Sequence, residues 1–259
     1  MLDNPRRIAF DGCMTNTPDL NLDEKLIASQ EFQKTQLASK LNWLRAGVLG
    51  ANDGIMSTSG ILMGVAGATT DSATILLTGV AAVVAGSISM AGGEYTSVSA
   101  QRDSELAALE VERAELAAQP ELELRELTWF YEEKGLSYGT AKMVAEELTA
   151  KDALKAHAEA ELGIEIGNHA SPMAAAVSSF VAFSAGGILP LVAVTGPWVA
   201  QRIPVTVIAV VVALIITGYV GSKIGGAKPL RPILRNVIIS LGSMAITYGI
   251  GVLVGHPMA

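Results

Sequence analysis

Ser72–Gly93 reads SATILLTGVAAVVAGSISMAGG, a stretch without Asp, Glu, Lys or Arg, closed by Asp71 on one side and Glu94 on the other. As a helix it is about 33 Å long, enough to cross a hydrocarbon core of roughly 30 Å. Four further runs lack all four charged residue types: Gly54–Thr70, Ile166–Gln201, Ile203–Ser222 and Asn236–Ala259. Half of the 259 residues are hydrophobic and 26 are glycine. Small residues at this density suit helices packed closely in lipid. The chain therefore reads as an all-α integral membrane protein with five transmembrane helices. A soluble protein with unusually buried helices is disfavoured by the number of such runs, and no stretch suggests the strands of a barrel.

Working outward, the spans are expected near 43–67, 73–95, 173–194, 203–224 and 233–254, with a kink at Pro190. The short turn Ala68–Ser72 makes the first two an antiparallel hairpin. No breaker separates Tyr95 from Ala118, and Ala, Glu, Leu and Arg dominate there. The second span should leave the membrane as one long helix that stops near Pro120. Shorter helices follow near 121–134, 137–149 and 151–163, bounded by Gly135, Gly139, Gly163 and Gly167. Residues 1–20 read as a disordered arm without the apolar core of a signal peptide, so the first true span must insert itself. Leu22–Lys40 reads as an amphipathic helix. Four regions result: arm and amphipathic helix, 1–40; spans one and two, 41–96; an acidic helical insertion, 97–167; and spans three to five, 168–259.

Charge is concentrated in the insertion. Residues 101–170 carry 16 acidic and 7 basic side chains, whereas the whole chain is at −7. Such a segment attracts cations and repels nucleic acid and anionic lipid. Lys40, Arg45, Lys223, Lys228, Arg231 and Arg235 fall on one side of the spans, and only Arg202 on the other. The positive-inside rule places the N-terminus and the insertion in the cytoplasm and His256 outside. One cysteine, Cys13, excludes an intrachain disulfide and fits a reducing compartment.

Three residues at membrane depth carry the functional reading. Asp53, in Gly50-Ala51-Asn52-Asp53-Gly54, lies about 15 Å into the first span. A charge there is expensive, so it must be protonated, paired, wetted or bound to a cation. A structural hydrogen bond to a neighbouring helix is the plainer alternative. Asn52 offers a further oxygen. Met90 and Glu94, in Ser89-Met90-Ala91-Gly92-Gly93-Glu94-Tyr95, share a helix face through their four-residue spacing. Met alone is an ordinary gap-filler, and Glu94 alone is an ordinary boundary residue. Together, thioether and carboxylate suit Fe(II), Mn(II) or Co(II) better than Ca(II) or Mg(II).

In the insertion, Glu112 and Glu115, and Glu123 and Glu126, stand three apart, and His157 and Glu161 four apart. Each pair shares a helix face. Paired carboxylates repel, and a bound cation removes that penalty. A solvated Glu-rich surface is the bland reading for any single member. No Glu-x-x-His, Walker loop, Rossmann glycine pattern, Cys-rich zinc motif or nucleophile elbow occurs, so neither ATP-driven pumping nor an enzyme is indicated.

At Gly50-Ala51-Asn52-Asp53-Gly54 and Ser89–Tyr95 the chain resembles the vacuolar iron transporter family, over about residues 41–257. The resemblance implies five spans, a homodimer with the ion path near the subunit interface, cytosolic helices that collect metal, and proton-coupled efflux of Fe(II) or Mn(II). By position, Asp53, Met90 and Glu94 match the family's membrane residues, and Glu112, Glu115, Glu123, Glu126 and Glu161 its cytosolic carboxylates. Departures are His157 and Ala158 in place of a Met pair, and Asn42 and Ala46 where further carboxylates are often found.

The expectation is thus a bacterial inner-membrane exporter of divalent iron or manganese. Its partners are divalent cations, protons, lipid and a second copy, with no resident cofactor. Three alternatives stay open: a membrane-anchored metal buffer or sensor, a di-metal membrane enzyme, and a channel for another small cation.

Overall fold

The computed structural model describes residues 22–167, 170–226 and 228–255, with side chains from Trp43 onward. The expected arm at 1–20, Cys13 and His256 lie outside the described residues, as does the polar and apolar patterning of the side chains at 22–40. The chain divides into two compact units, Met1–Ala38 and Ser39–Ala259. The described part of the first unit, residues 22–38, is helical.

Among the described residues there are seven α-helices and no strand: α1 Leu22–Ala68, α2 Ser72–Ala118, α3 Pro120–Glu133, α4 Tyr138–His157, α5 Pro172–Thr195, α6 Arg202–Ile224 and α7 Leu230–Gly255. Their ends have local causes. Asp71 caps α2, accepting from the backbone N–H of Thr74 at 2.9 Å and of Ala73 at 3.4 Å. Pro120 supplies the first residue of α3, and the residue before it, Gln119, leaves the helical region (φ −139°, ψ 55°), which ends α2. Ser171 and Pro172 start α5 in the same manner, with Ser171 Oγ accepting from Ala174 N at 3.3 Å. The expected break between 149 and 151 falls at Asp152, whose backbone is extended and whose carboxylate accepts from Lys155 N at 3.0 Å.

α1 is the axis of the second unit. Leu62 packs with Ile75 and Val83 of α2 and with Leu191 and Val194 of α5. Ile55 and Met63 pack with Val210, Ala213 and Leu214 of α6 and Met244 of α7. The approach is backbone to backbone. A Cβ on Gly54 would stand 2.3 Å from the Phe183 carbonyl oxygen, and one on Gly251 1.9 Å from that of Gly64. Gly251→Val is accordingly expected to force α1 and α7 apart. Overpacking of this kind costs about 1–3 kcal/mol, so its melting temperature in detergent should fall by several degrees. An unchanged melting temperature would show that the contact is not needed.

Four helices are long and apolar enough to cross a membrane: α2, α5, α6 with its preceding turn, and α7. α1 is not among them, because Asn52, Asp53, Ser57, Thr58 and Ser59 interrupt its apolar stretch. The five-span expectation therefore stands at four by length and composition. Outward side chains of these helices, such as Leu77, Ile208, Ile238 and Leu253, are more than half exposed, which suits lipid rather than water.

At the far end of α2, Leu127 of α3 and Ala145 and Ala156 of α4 form a separate small core. At the opposite end, buried Arg202 donates to the Thr70 carbonyl at 3.3 Å and to Ser72 Oγ at 2.7 Å, tying α6 to the α1–α2 turn.

Candidate metal sites

α2, α3 and α4 converge on one buried acidic cluster. Glu112 projects from α2, Glu123 from α3 and His157 from the end of α4, and all three are buried. Beyond His157 the helix widens into a π-turn, Ala158–Leu162, closed by Gly163 at φ 64° with Ile164 N donating to the Ala158 carbonyl at 2.8 Å. π-Turns recur at functional sites, and this one carries Glu161. His157 Nδ1 stands 3.0 Å from Glu112 Oε1, 3.6 Å from Glu161 Oε2 and 3.8 Å from Glu123 Oε2.

Ligand atoms of Glu112, His157 and Glu161 lie within 4.8 Å of one another, close enough for one cation to touch all three. Glu112 Oε1, both His157 nitrogens and Glu161 Oε2 have no hydrogen-bond partner within the protein, although they are buried. Buried polar atoms are normally satisfied, and convergent unsatisfied polar atoms of this kind point to a ligand. Carboxylate oxygens with an imidazole nitrogen suit a borderline divalent ion.

The cluster's electrostatics agree. Burial, followed by the negative charges of Glu161, Glu123, Glu115 and Glu126, pushes the Glu112 carboxyl from 4.5 up to about 7. Burial and then Glu126 push Glu123 up as well, while His157 pulls it back. A folded carboxyl that titrates near 7 holds its proton between about pH 4.5 and 7, where the unfolded chain has already lost it. The metal-free protein should thus lose stability as pH rises through that window, with the contribution gone above about 7. Thermal unfolding from about pH 5 to pH 8 should show the fall, and Mn(II) should reverse it. A Glu112→Gln protein should lose most of the pH effect; an identical slope would remove Glu112 as its source.

The second site lies between α1 and α2. Asp53, Ser57, Ser89, Met90 and Glu94 line one cleft of ≈ 530 Å³. Phe183 of α5 forms part of its wall, its ring so close to Gly86 that a Cβ there would meet it at 2.3 Å. Glu94 is largely covered, and its Oε1 lies 3.5 Å from Arg45 Nη2.

Seven of the nine expected ligands thus fall at two buried or half-buried places: Asp53, Met90 and Glu94 in the cleft, and Glu112, Glu123, His157 and Glu161 in the cluster. Glu115 and Glu126 are exposed at the cluster's edge and act on it through charge. Asn52 is corrected: its Oδ1 accepts from Thr217 Oγ1 at 2.6 Å, which turns it toward α6, and it does not line the cleft. Sequence reading missed Arg45 as the partner of Glu94, because residues on different helices leave no spacing signal.

Comparison with known proteins shows what the chain is similar to. The family model described as "VIT family" matches residues 44–252. A "Vacuolar iron transporter" of Acanthamoeba castellanii is 44% identical over 82% of this chain and 78% of its own length. "Vacuolar iron transporter homolog 4" of Arabidopsis thaliana is 34% identical over 93% of this chain and 97% of its own. "VIT-like transporter 1b" of Glycine max is 28% identical over 92% and 88%. These relatives are from an amoeba and plants, and they lend no support to the expected bacterial origin.

Proposed function

The chain belongs to the VIT family, and from that premise we propose that it exports Fe(II) or Mn(II) from the cytosol in exchange for protons. It is an integral membrane metal transporter and not an enzyme. The observation that carries the finer reading is the shared cleft of Asp53, Met90 and Glu94. The cleft puts a thioether and two carboxylates along the wall formed by α1 and α2, and a path for a borderline divalent ion needs such a series of stations.

In this reading α1 is the fifth span. It packs on α2 and α5 on one flank and on α6 and α7 on the other, with Thr58 and Ser59 buried, so apolar length is not required of it. The cluster of Glu112, Glu123, His157 and Glu161 is cytosolic and gathers the ion. Residues 97–167 form the gathering region. The ion then passes Glu94 and Met90 to Asp53, and protons arriving from the far side displace it. In this reading the protein is a homodimer, and a second copy covers the open side of the cleft.

Purified protein in liposomes with an imposed pH gradient tests the reading. Gradient-dependent uptake of Mn(II) and Fe(II) is expected, and the two rates rank the ions. Metal binding without flux from folded protein would instead favour the buffer or sensor reading.

A further inference from the structure

Arg45 stands where a cation path should not hold a cation. Its guanidinium is 3.5 Å from Glu94 Oε1, and its own side chain is 63% exposed while that of Glu94 is 10% exposed. Glu94 lines two spaces. One is the cleft that holds Asp53 and Met90. The other is a small pocket formed with Trp43, Arg45, Val98 and Gln101. Glu94 is the last α2 residue lining the cleft on the way to Glu112, and Arg45 reaches it from the neighbouring small pocket. Among the described residues no other basic group reaches ion-pair distance of Glu94.

We propose that Arg45 is the resting counter-ion of Glu94 and determines which cations enter the cleft. The proposal rests on the transport reading above. A guanidinium is a fixed positive charge, so the pair must open before another cation reaches Glu94. It is opened by exchange. A monovalent ion replaces one positive charge by another and gains nothing. A divalent transition ion brings twice the charge and binds carboxylate oxygen directly, at about 2.0–2.2 Å for borderline ions, closer than the guanidinium stands. The exchange therefore favours divalent ions and disfavours K⁺ and Na⁺. A long, mostly exposed side chain can swing aside without moving the backbone of α1.

The experiment compares Arg45→Gln and Arg45→Lys with the parent in proteoliposomes, reading K⁺ leak and the half-saturating Mn(II) concentration. Freeing the Glu94 carboxylate from its counter-ion opens it to monovalent cations and should raise K⁺ leak by about tenfold. Losing a partly exposed competing ion pair should lower half-saturating Mn(II) by about threefold. Arg45→Lys should keep both near the parent. In a Glu94→Gln background, Arg45→Gln should add no further leak, since the pair is already gone. Parent-like leak and half-saturation in Arg45→Gln would overturn the proposal. So would equal changes in Arg45→Gln and Arg45→Lys, or an effect that persists without Glu94. Equilibrium Mn(II) binding, in a Glu112→Gln/His157→Gln background that weakens the cluster about 100-fold, gives a readout independent of flux. There Arg45→Gln should tighten binding about threefold, the same ion-pair competition seen without transport; unchanged binding overturns the proposal. If the parent moves no metal under any gradient, the transport reading fails by itself, and this binding arm still decides whether Arg45 competes with a divalent ion for Glu94.

Discussion

Asp53→Ala is expected to lower gradient-driven Mn(II) flux by about 100-fold while leaving metal binding at the acidic cluster unchanged. The effect is electrostatic. Asp53 is on α1 beside Gly54, which packs on Phe183 in the middle of α5, and it shares the cleft with Met90 and Glu94. A charge left uncompensated at membrane depth costs about 2.5–3.5 kcal/mol even on the lenient insertion scale, and about 2.7 kcal/mol is a factor of 100. The cation carried through the cleft meets that penalty when the carboxylate is gone. Asp53→Asn tests whether charge or shape matters. It keeps the side chain's size, so an equal loss assigns the effect to charge. Stopped-flow Mn(II) uptake into liposomes reads the flux, and calorimetric titration of the same preparations reads binding at the cluster. Asp53→Ala with parental flux would remove Asp53 from the path and return it to a structural role.

The cleft and the cluster were legible in the sequence to different depths. α2, α5, α6 and α7 coincide with expected spans to within three residues at their membrane-facing starts, because long uncharged runs between charged or Pro-containing turns leave few alternatives. α1 shows where such reading weakens. Its polar residues drop it below the apolarity of a span, and what shelters them is the close backbone approach of Gly54 to Phe183 and of Gly64 to Gly251. Glycine spacing signals that approach but not its partner. The Glu pairs show the same limit. Helix periodicity put Glu112 with Glu115 and Glu123 with Glu126, and each pair does share a helix face. The fold then splits both pairs, burying Glu112 and Glu123 and leaving Glu115 and Glu126 exposed. Only the packing of α2, α3 and α4 decides which member of each pair faces the third helix, and periodicity holds no information about that. His157 and Glu161 were paired correctly by spacing, although the turn that joins them is π rather than α.

Glu112→Gln with His157→Gln is the second large effect, a loss of about 100-fold in Mn(II) affinity at the cluster, roughly tenfold for each ligand. Glutamine keeps volume and hydrogen-bonding capacity at both positions, so the buried site is not emptied as it would be by alanine. The two residues are the closest pair in the cluster, 3.0 Å apart, and both are buried with unsatisfied ligand atoms. Their replacement should also raise the stability of the metal-free protein near pH 8, because Glu112 no longer holds a charge against Glu161 and Glu123. The sign matters. Residues kept for folding alone would lower stability when replaced, whereas residues kept for a ligand hold strain that the ligand relieves. Calorimetric titration and thermal unfolding of one preparation read both quantities. Flux at saturating Mn(II) then separates two roles for the cluster. If it only raises the local ion concentration, the variant's maximal flux equals the parent's and its half-saturating concentration rises. If the ion must be handed on from the cluster to Glu94, maximal flux falls as well, and the cluster is a step of the path rather than a reservoir beside it.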